Sequence, residues 1–139
     1  MAKDASLYVR KAIITRLKRT PAVSAIVGQR VHGQAAPAKA TWPFVRYGAA
    51  TVVPLRATCL DGSTISMTVH AFCKGADDTE ASTLAAAIAD SLDGQSIPLT
   101  APDPARLSNG RWTSTITMRD GAEATGWHAV INLEGRVVS

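Results

Sequence analysis

The chain is short of the residues that carry most protein chemistry. It has two cysteines and three histidines, and aromatic residues make up 5% of it. Two cysteines, Cys59 and Cys73, give no disulfide framework, so the sequence reads as the product of a reducing cytoplasm. No stretch approaches the ~18 consecutive apolar residues that a membrane helix needs, and no membrane span is expected. The opening MAKDASLYVR has no apolar core of a secretory signal. There is no glycine-rich phosphate loop and no ring-stacking platform for nucleic acid. Charged residues are 19% of the chain, below the usual ~25%.

The titratable residues do not form a catalytic constellation. His70 and Cys73 have the residue types of a base and a nucleophile, and a small hydrolase centred on them is conceivable. On an extended strand, however, residues three apart point to opposite faces. Cys73 then belongs with Met67 and Val69 on the apolar side, while His70 lies with Ser66 and Thr68. None of His32, His70 and His128 has a metal-ligand companion at useful spacing, so no metal is expected. Asp77, Asp78 and Glu80 cluster at a helix start, where capping and the helix dipole account for them. Asp103 is isolated among prolines. No catalytic residue and no cofactor is assigned.

A length of 139 residues fits one domain, residues 1–139, with a single core. Residues 4–19, DASLYVRKAIITRLKR, predict a helix that Asp4 can cap. Leu7, Val9, Ile13, Ile14 and Leu17 share an arc of about 160°. Arg10 projects within that arc, either snorkelling at its rim or pairing across a subunit contact. In TPAVSAIVG, Thr20 suits an N-cap, Pro21 the first helical position and Gly28 the stop. Arg30-Val31-His32 suggests a brief extended piece.

Residues 34–42, QAAPAKATW, have no periodicity and no aliphatic anchor. Loops of this kind are often functional. From Pro43 to Cys73 the pattern predicts a hairpin marked by Asp61-Gly62. A three-residue loop, Leu60-Asp61-Gly62, would pair Ile65 with Ala57, Met67 with Leu55 and Val69 with Val53, and would keep Tyr47 and Val45 on the same apolar side. That register places Cys59 and Cys73 at opposite ends of the hairpin. Pro54 then marks an edge or a bulge.

GADDTEASTLAAAIADSLDG predicts the clearest helix. Asp77 and Glu80 have capping-box spacing, and Ala81, Leu84, Ala85, Ile88 and Leu92 share one face. SIPLTAPDPARL reads as an irregular connector. A second hairpin follows. Trp112, Ser114, Ile116 and Met118 alternate on its first strand, with Trp127, Ala129, Ile131 and Leu133 on its second, and Thr113, Thr115 and Thr117 form the opposite face. At least two of the three tryptophans read as core. This order predicts an α+β domain: an antiparallel, or mixed, sheet built from two long hairpins, with two main helices packed on one face.

In order and spacing, three segments resemble a known family. They are LYVRKAIITRLKRTPAVSAIVGQRV, then WPFVRYG after the bare loop, then ISMTVHAFCKGADDTEASTLAAAIADSL. The family is that of the tail-completion, or tail-terminator, proteins of long-tailed phages and gene transfer agents, and the resemblance runs from residue 7 to 133. It implies a protein made in the host cytoplasm that resides in the tail neck of the particle. It implies a ring, usually hexameric, that caps the tail tube, stops its growth and meets a head-tail connector or stopper protein. No catalysis is implied. On that view Arg10, the loop residues Gln34, Lys39 and Trp42, Arg46 beyond them, and Arg56, Asp61, Arg119 and Asp120 near the hairpin tips are candidate interface residues. DNA passing through the channel is a further candidate partner. The formal net charge of +4, with Lys3, Arg10, Lys11, Arg16, Lys18 and Arg19 at the N-terminus, also admits a basic nucleic-acid-binding accessory module.

Overall fold

A computed structural model describes residues 4–34, 40–57, 60–99, 105–121 and 125–138, with the side chains at 55–57, 60, 61, 105, 109 and 138 excepted. Helix α1 spans Ser6–Arg19, α2 Pro21–Val27 and α3 Thr79–Leu92. The strands are β1 Val31–His32, β2 Phe44–Ala57, β3 Leu60–Lys74, β4 Ile97–Leu99, β5 Ala105–Arg119 and β6 Gly126–Val138. They form one sheet in the order β1-β2-β3-β6-β5-β4. All neighbours are antiparallel except β1 and β2, which run parallel, so the sheet is mixed. The α+β expectation holds at this level, with three helices in place of two main ones.

The helices lie where the apolar patterns send them. Val9, Ile13 and Leu17 of α1 are buried, as are Ala81, Leu84, Ala85, Ile88 and Leu92 of α3. Leu7, expected in the same arc, is 43% exposed. The alanine side of α3 lets it lie close across β3, β6 and β5. Helix α1 touches β1, β2 and β4, strands at both ends of the sheet order, so the sheet curls around the helical layer. Arg16 ties the two long helices together. Its Nε donates to the Ser91 carbonyl at 2.7 Å and a terminal nitrogen donates to Gln95 Oε1 at 3.0 Å. The guanidinium thus satisfies an end carbonyl of α3 that has no partner within its own helix.

The helix starts are built differently from the simple cap expected at Asp4 and the capping box expected at Asp77 and Glu80. Asp4 Oδ1 accepts the Ser6 amide and Asp77 Oδ1 the Thr79 amide, both at 3.0 Å and two residues ahead. The N-cap positions themselves are Ala5 and Asp78, and neither makes a side-chain cap bond. Thr20 sits at the N-cap of α2, but its hydroxyl donates back to the Arg16 carbonyl. Pro21 opens α2, and Gly28, with φ of 61°, closes it as predicted.

The first hairpin differs in register from the expectation. Asp61 and Gly62 are not the turn: they lie inside β3, paired with Arg56 and Leu55, and Leu60 pairs with Ala57. Ile65 faces Val52, Met67 faces Ala50 and Val69 faces Tyr47. The register shifts between Tyr47 and Ala50, an irregularity that the alternation of apolar residues does not announce. It leaves Val45 and Tyr47 inward, as expected, while Val53 turns outward and is 57% exposed. Cys73 is buried and pairs across to Trp127 of β6, and Cys59 lies outside the described residues.

In the second hairpin β6 keeps its expected face, with Ala129, Ile131 and Leu133 buried, while the far part of β5 is inverted. β5 begins at Ala105, and Ile97–Leu99, read as part of an irregular connector, is an edge strand paired with residues 105–107. A shift between Trp112 and Ser114 puts Trp112 on the same side as Thr115, which accepts its indole N–H at 2.8 Å. Thr115 and Thr117 pair with buried Ile131 and Ala129 and face α3, lining a shallow groove with Ala86 and Asp90. Ser114, Ile116 and Met118 face the other way. Of the two or more tryptophans expected in the core, Trp127 is half-buried and packs against it, while Trp112 is exposed and Trp42 stands half-buried on the far face.

Candidate assembly surface

One face of the sheet carries the helices and the core. On the opposite face, no helix covers the strands among the described residues. Alternation along each strand decides which side chains stand there. Phe44 of β2, Phe72 of β3, His128 of β6 and Met118 of β5 are successive cross-strand partners and form one row. Arg46, His70, Val130 and Ile116 form the next row in the same strand order.

The first row is an aromatic stack. Phe44 and Phe72 lie parallel with centroids 4.6 Å apart, and Phe72 and His128 likewise at 4.3 Å. Trp42 closes over both phenylalanines edge-on at 5.5 Å. The Arg46 guanidinium stands 5.5 Å from the centre of the Phe72 ring, and Lys74 Nζ stands at the same distance from Trp42. This cover reduces Phe44 and Phe72 to 8% exposure on a face without helices. On β5 both rows end in the open: Ile116 is 55% and Met118 42% exposed.

The pair that spacing did not reveal bridges the two rows. His70 Nδ1 and His128 Nε2 are 2.7 Å apart. His70 is pushed down to about 4 by burial first, then by His128 and Arg46. His128 is also lowered, burial outweighing the opposing pull of Asp120. Both rings are thus neutral at pH 7, one donating and the other accepting. The two residues belong to hairpins far apart in sequence. The only sequence trace of the relation is that each precedes an alanine after an Asp-Gly. Beyond them the face turns polar: Thr68 donates to Asn132, whose amide donates to Ser114, and Arg111 meets Glu134 at 3.4 Å.

The nine expected interface residues fall in several places. Trp42 and Arg46 stand on this face. Gln34 Nε2 donates to the Gly48 carbonyl at 2.8 Å, anchoring the start of the loop to β2. Arg10 passes its stem beside Gly33, and its charge lowers the Tyr47 phenol, which burial nonetheless raises to about 12. The Arg119 guanidinium stands 5.1 Å from the centre of the Trp127 ring, and the Asp120 amide donates to Gly126 to close the second hairpin. Arg56 and Asp61 are partners in the β2–β3 ladder, their side chains outside the described set. Lys39 lies outside the described residues.

Little in this arrangement makes or breaks bonds. His70 and Cys73 stand on opposite faces, and burial with the neighbouring Glu80 raises the Cys73 thiol to about 12, far from a reactive thiolate. Among the described residues no group of three His, Cys, Asp or Glu side chains is placed to hold a metal. No described helix is long and apolar enough to cross a membrane. The surface is suited to contact: an aromatic stack that ends in exposed aliphatic side chains and is bordered by cations.

Comparison with known proteins agrees with that character. A chain from the virion of a native gene transfer agent particle superposes with a TM-score of 0.85 at 19% identity, over 99% of this chain and 100% of that one. A second solved protein, 16% identical, gives a TM-score of 0.57 over 99% of this chain and 97% of its own. At such identities the likeness speaks for the fold. No curated protein sequence gives a significant match. The family model of tail completion protein gp17 matches residues 11–137, from within α1 to the end of β6. With the match spanning nearly every element described, the chain belongs to the tail completion protein gp17 family, and so to the structural proteins of phage tails.

Proposed function

We propose that this chain is a tail terminator: it forms a ring, hexameric in the reading favoured here, that caps the tail tube and joins it to the head connector or stopper. Family membership supplies the tail. The observation that carries the rest is the helix-free sheet face, where aromatic and aliphatic side chains run into the exposed Ile116 and Met118. A surface of that composition is completed by another protein, here a tube subunit or a second copy. The chain works by fit, without catalysis.

Purified protein added to tail tubes tests this reading. Electron microscopy should find rings at one tube end, with a mass that is a multiple of one chain. Ile116→Asp with Met118→Asp should keep the fold, since both side chains are exposed, and lose tube decoration. A strict monomer that ignores tube ends overturns the reading. A second reading, a basic nucleic-acid-binding accessory module, draws on the cations of α1. Steeply salt-dependent DNA binding, with tail assembly indifferent to loss of Lys11 and Arg19, would favour it.

A further inference from the structure

Charge is segregated along this chain. Every charged residue from 5 to 60 is a lysine or arginine, and every one from 75 to 105 is an aspartate or glutamate. α1 is thereby a cationic element and α3 an anionic one. α1 forms one wall of an open groove of about 790 Å3. Pro21 of α2, Ser91 of α3 and Ile97-Pro98 of β4 form the other side. Among the described residues, the charged ones lining it are Lys11, Arg16 and Arg19, and no carboxylate does. Arg16 is engaged with the end of α3. Lys11 and Arg19 are exposed, and neither meets a carboxylate among the described residues.

The acidic residues of α3 and its caps fall at both ends: Asp90 and Asp93 border the shallow groove beside Thr115 and Thr117, and the others lie at the far end. Asp78 and Glu80 are exposed there, followed by the small exposed residues Ser82, Thr83 and Ala86, which let another chain approach closely. Ser91, in the groove, is nearly the whole helix away, roughly 20 Å at 1.5 Å per residue. Over such a distance charges within one molecule are screened, the Debye length being about 8 Å at physiological salt. Groove and acidic turn therefore do not neutralise each other inside one subunit, but two copies placed head to tail bring them together. A contact between different surfaces of identical chains closes into a ring when the rotation permits.

We infer that the α1 groove receives the acidic first turn of α3 from the next copy of this chain. The inference rests on the ring reading above and names the contact that builds it. Lys11 and Arg19 are its cationic side, Asp78 and Glu80 its anionic side.

Two charge-reversed variants test it, K11E/R19E and D78K/E80K, with native mass measured in solution and on tail tubes. Each alone should lose the ring, because groove and α3 turn then carry the same sign. An equimolar mixture should regain it, with the two variants alternating, since each groove again meets an opposite charge. Misfolding cannot produce that rescue. A ring that survives K11E/R19E unchanged overturns the contact and leaves the ring reading standing. So does failure of the mixture while both variants retain native circular dichroism. Loss of DNA binding in K11E/R19E with the ring intact would give the groove to phosphate and overturn the contact too. A wild-type protein that is monomeric even on tubes overturns the ring reading, and the contact with it.

Discussion

His70 and His128, on strands from different hairpins, share one hydrogen bond of 2.7 Å beside the Arg46 guanidinium. Both bind protons less readily in the folded chain than in the unfolded one, whose histidines titrate near 6.5. Between that value and about 4, the folded value for His70, the unfolded state takes up the proton and the folded state does not. The contribution is thus fully present above 6.5, is lost as pH falls through the window, and levels off below it. Urea midpoints measured across that window should fall with pH. H70Q/H128Q should flatten the slope, and an unchanged slope in that variant would refute the assignment.

Gly48 makes room for that pair. A Cβ at this position would lie 2.6 Å from His70 Nε2 and 3.1 Å from the Thr68 carbonyl. Gly48→Ala should therefore push the imidazole aside and cost roughly 1–3 kcal/mol, the usual range for overpacking. In H70A the same substitution should cost less, because the main obstacle is gone, although the carbonyl remains. Chemical denaturation of the four chains in this cycle gives the coupling directly. Equal costs in both backgrounds would mean that the ring is not the obstacle.

The Tyr47 hydroxyl is buried with no hydrogen-bond partner among the described residues. Burial without a bond disfavours a polar group, while the ring itself is part of the core. Tyr47→Phe keeps the ring and removes the oxygen. It should leave stability unchanged or raise it by about 1 kcal/mol, read from the midpoint of thermal or urea unfolding. A clear loss of stability would show that the hydroxyl is satisfied in solution.

The sequence made the helices legible because their information is local. Val9, Ile13 and Leu17 repeat at helical spacing, and Pro21 and Gly28 punctuate α2 at its two ends. The extended piece at Val31-His32 was legible too, though not its parallel partner. What escaped was set by single-residue irregularities. A strand carries only a period of two, so the shifts after Tyr47 and after Trp112 exchange inside for outside over everything that follows. They turned Val53, Ile116 and Met118 outward and brought Thr115 and Thr117 under α3, while Asp61-Gly62, a turn dipeptide by composition, is carried inside β3. The family resemblance survived because it depends on the order of segments. The His70–His128 pair depends on which hairpins lie side by side, and no local pattern encodes that.

The C-terminal end of α3 reaches across to the outer margin of β5. Gly94 donates to the Gly110 carbonyl at 2.8 Å, and Asp93 accepts the Trp112 amide at 2.9 Å. Main-chain groups that an incoming strand would seek are already taken there. Along this margin, among the described residues, the stretch of β5 beyond Thr113 is what remains for a foreign strand to pair with. The turn after α3 thereby blunts that margin of the sheet against pairing with another chain.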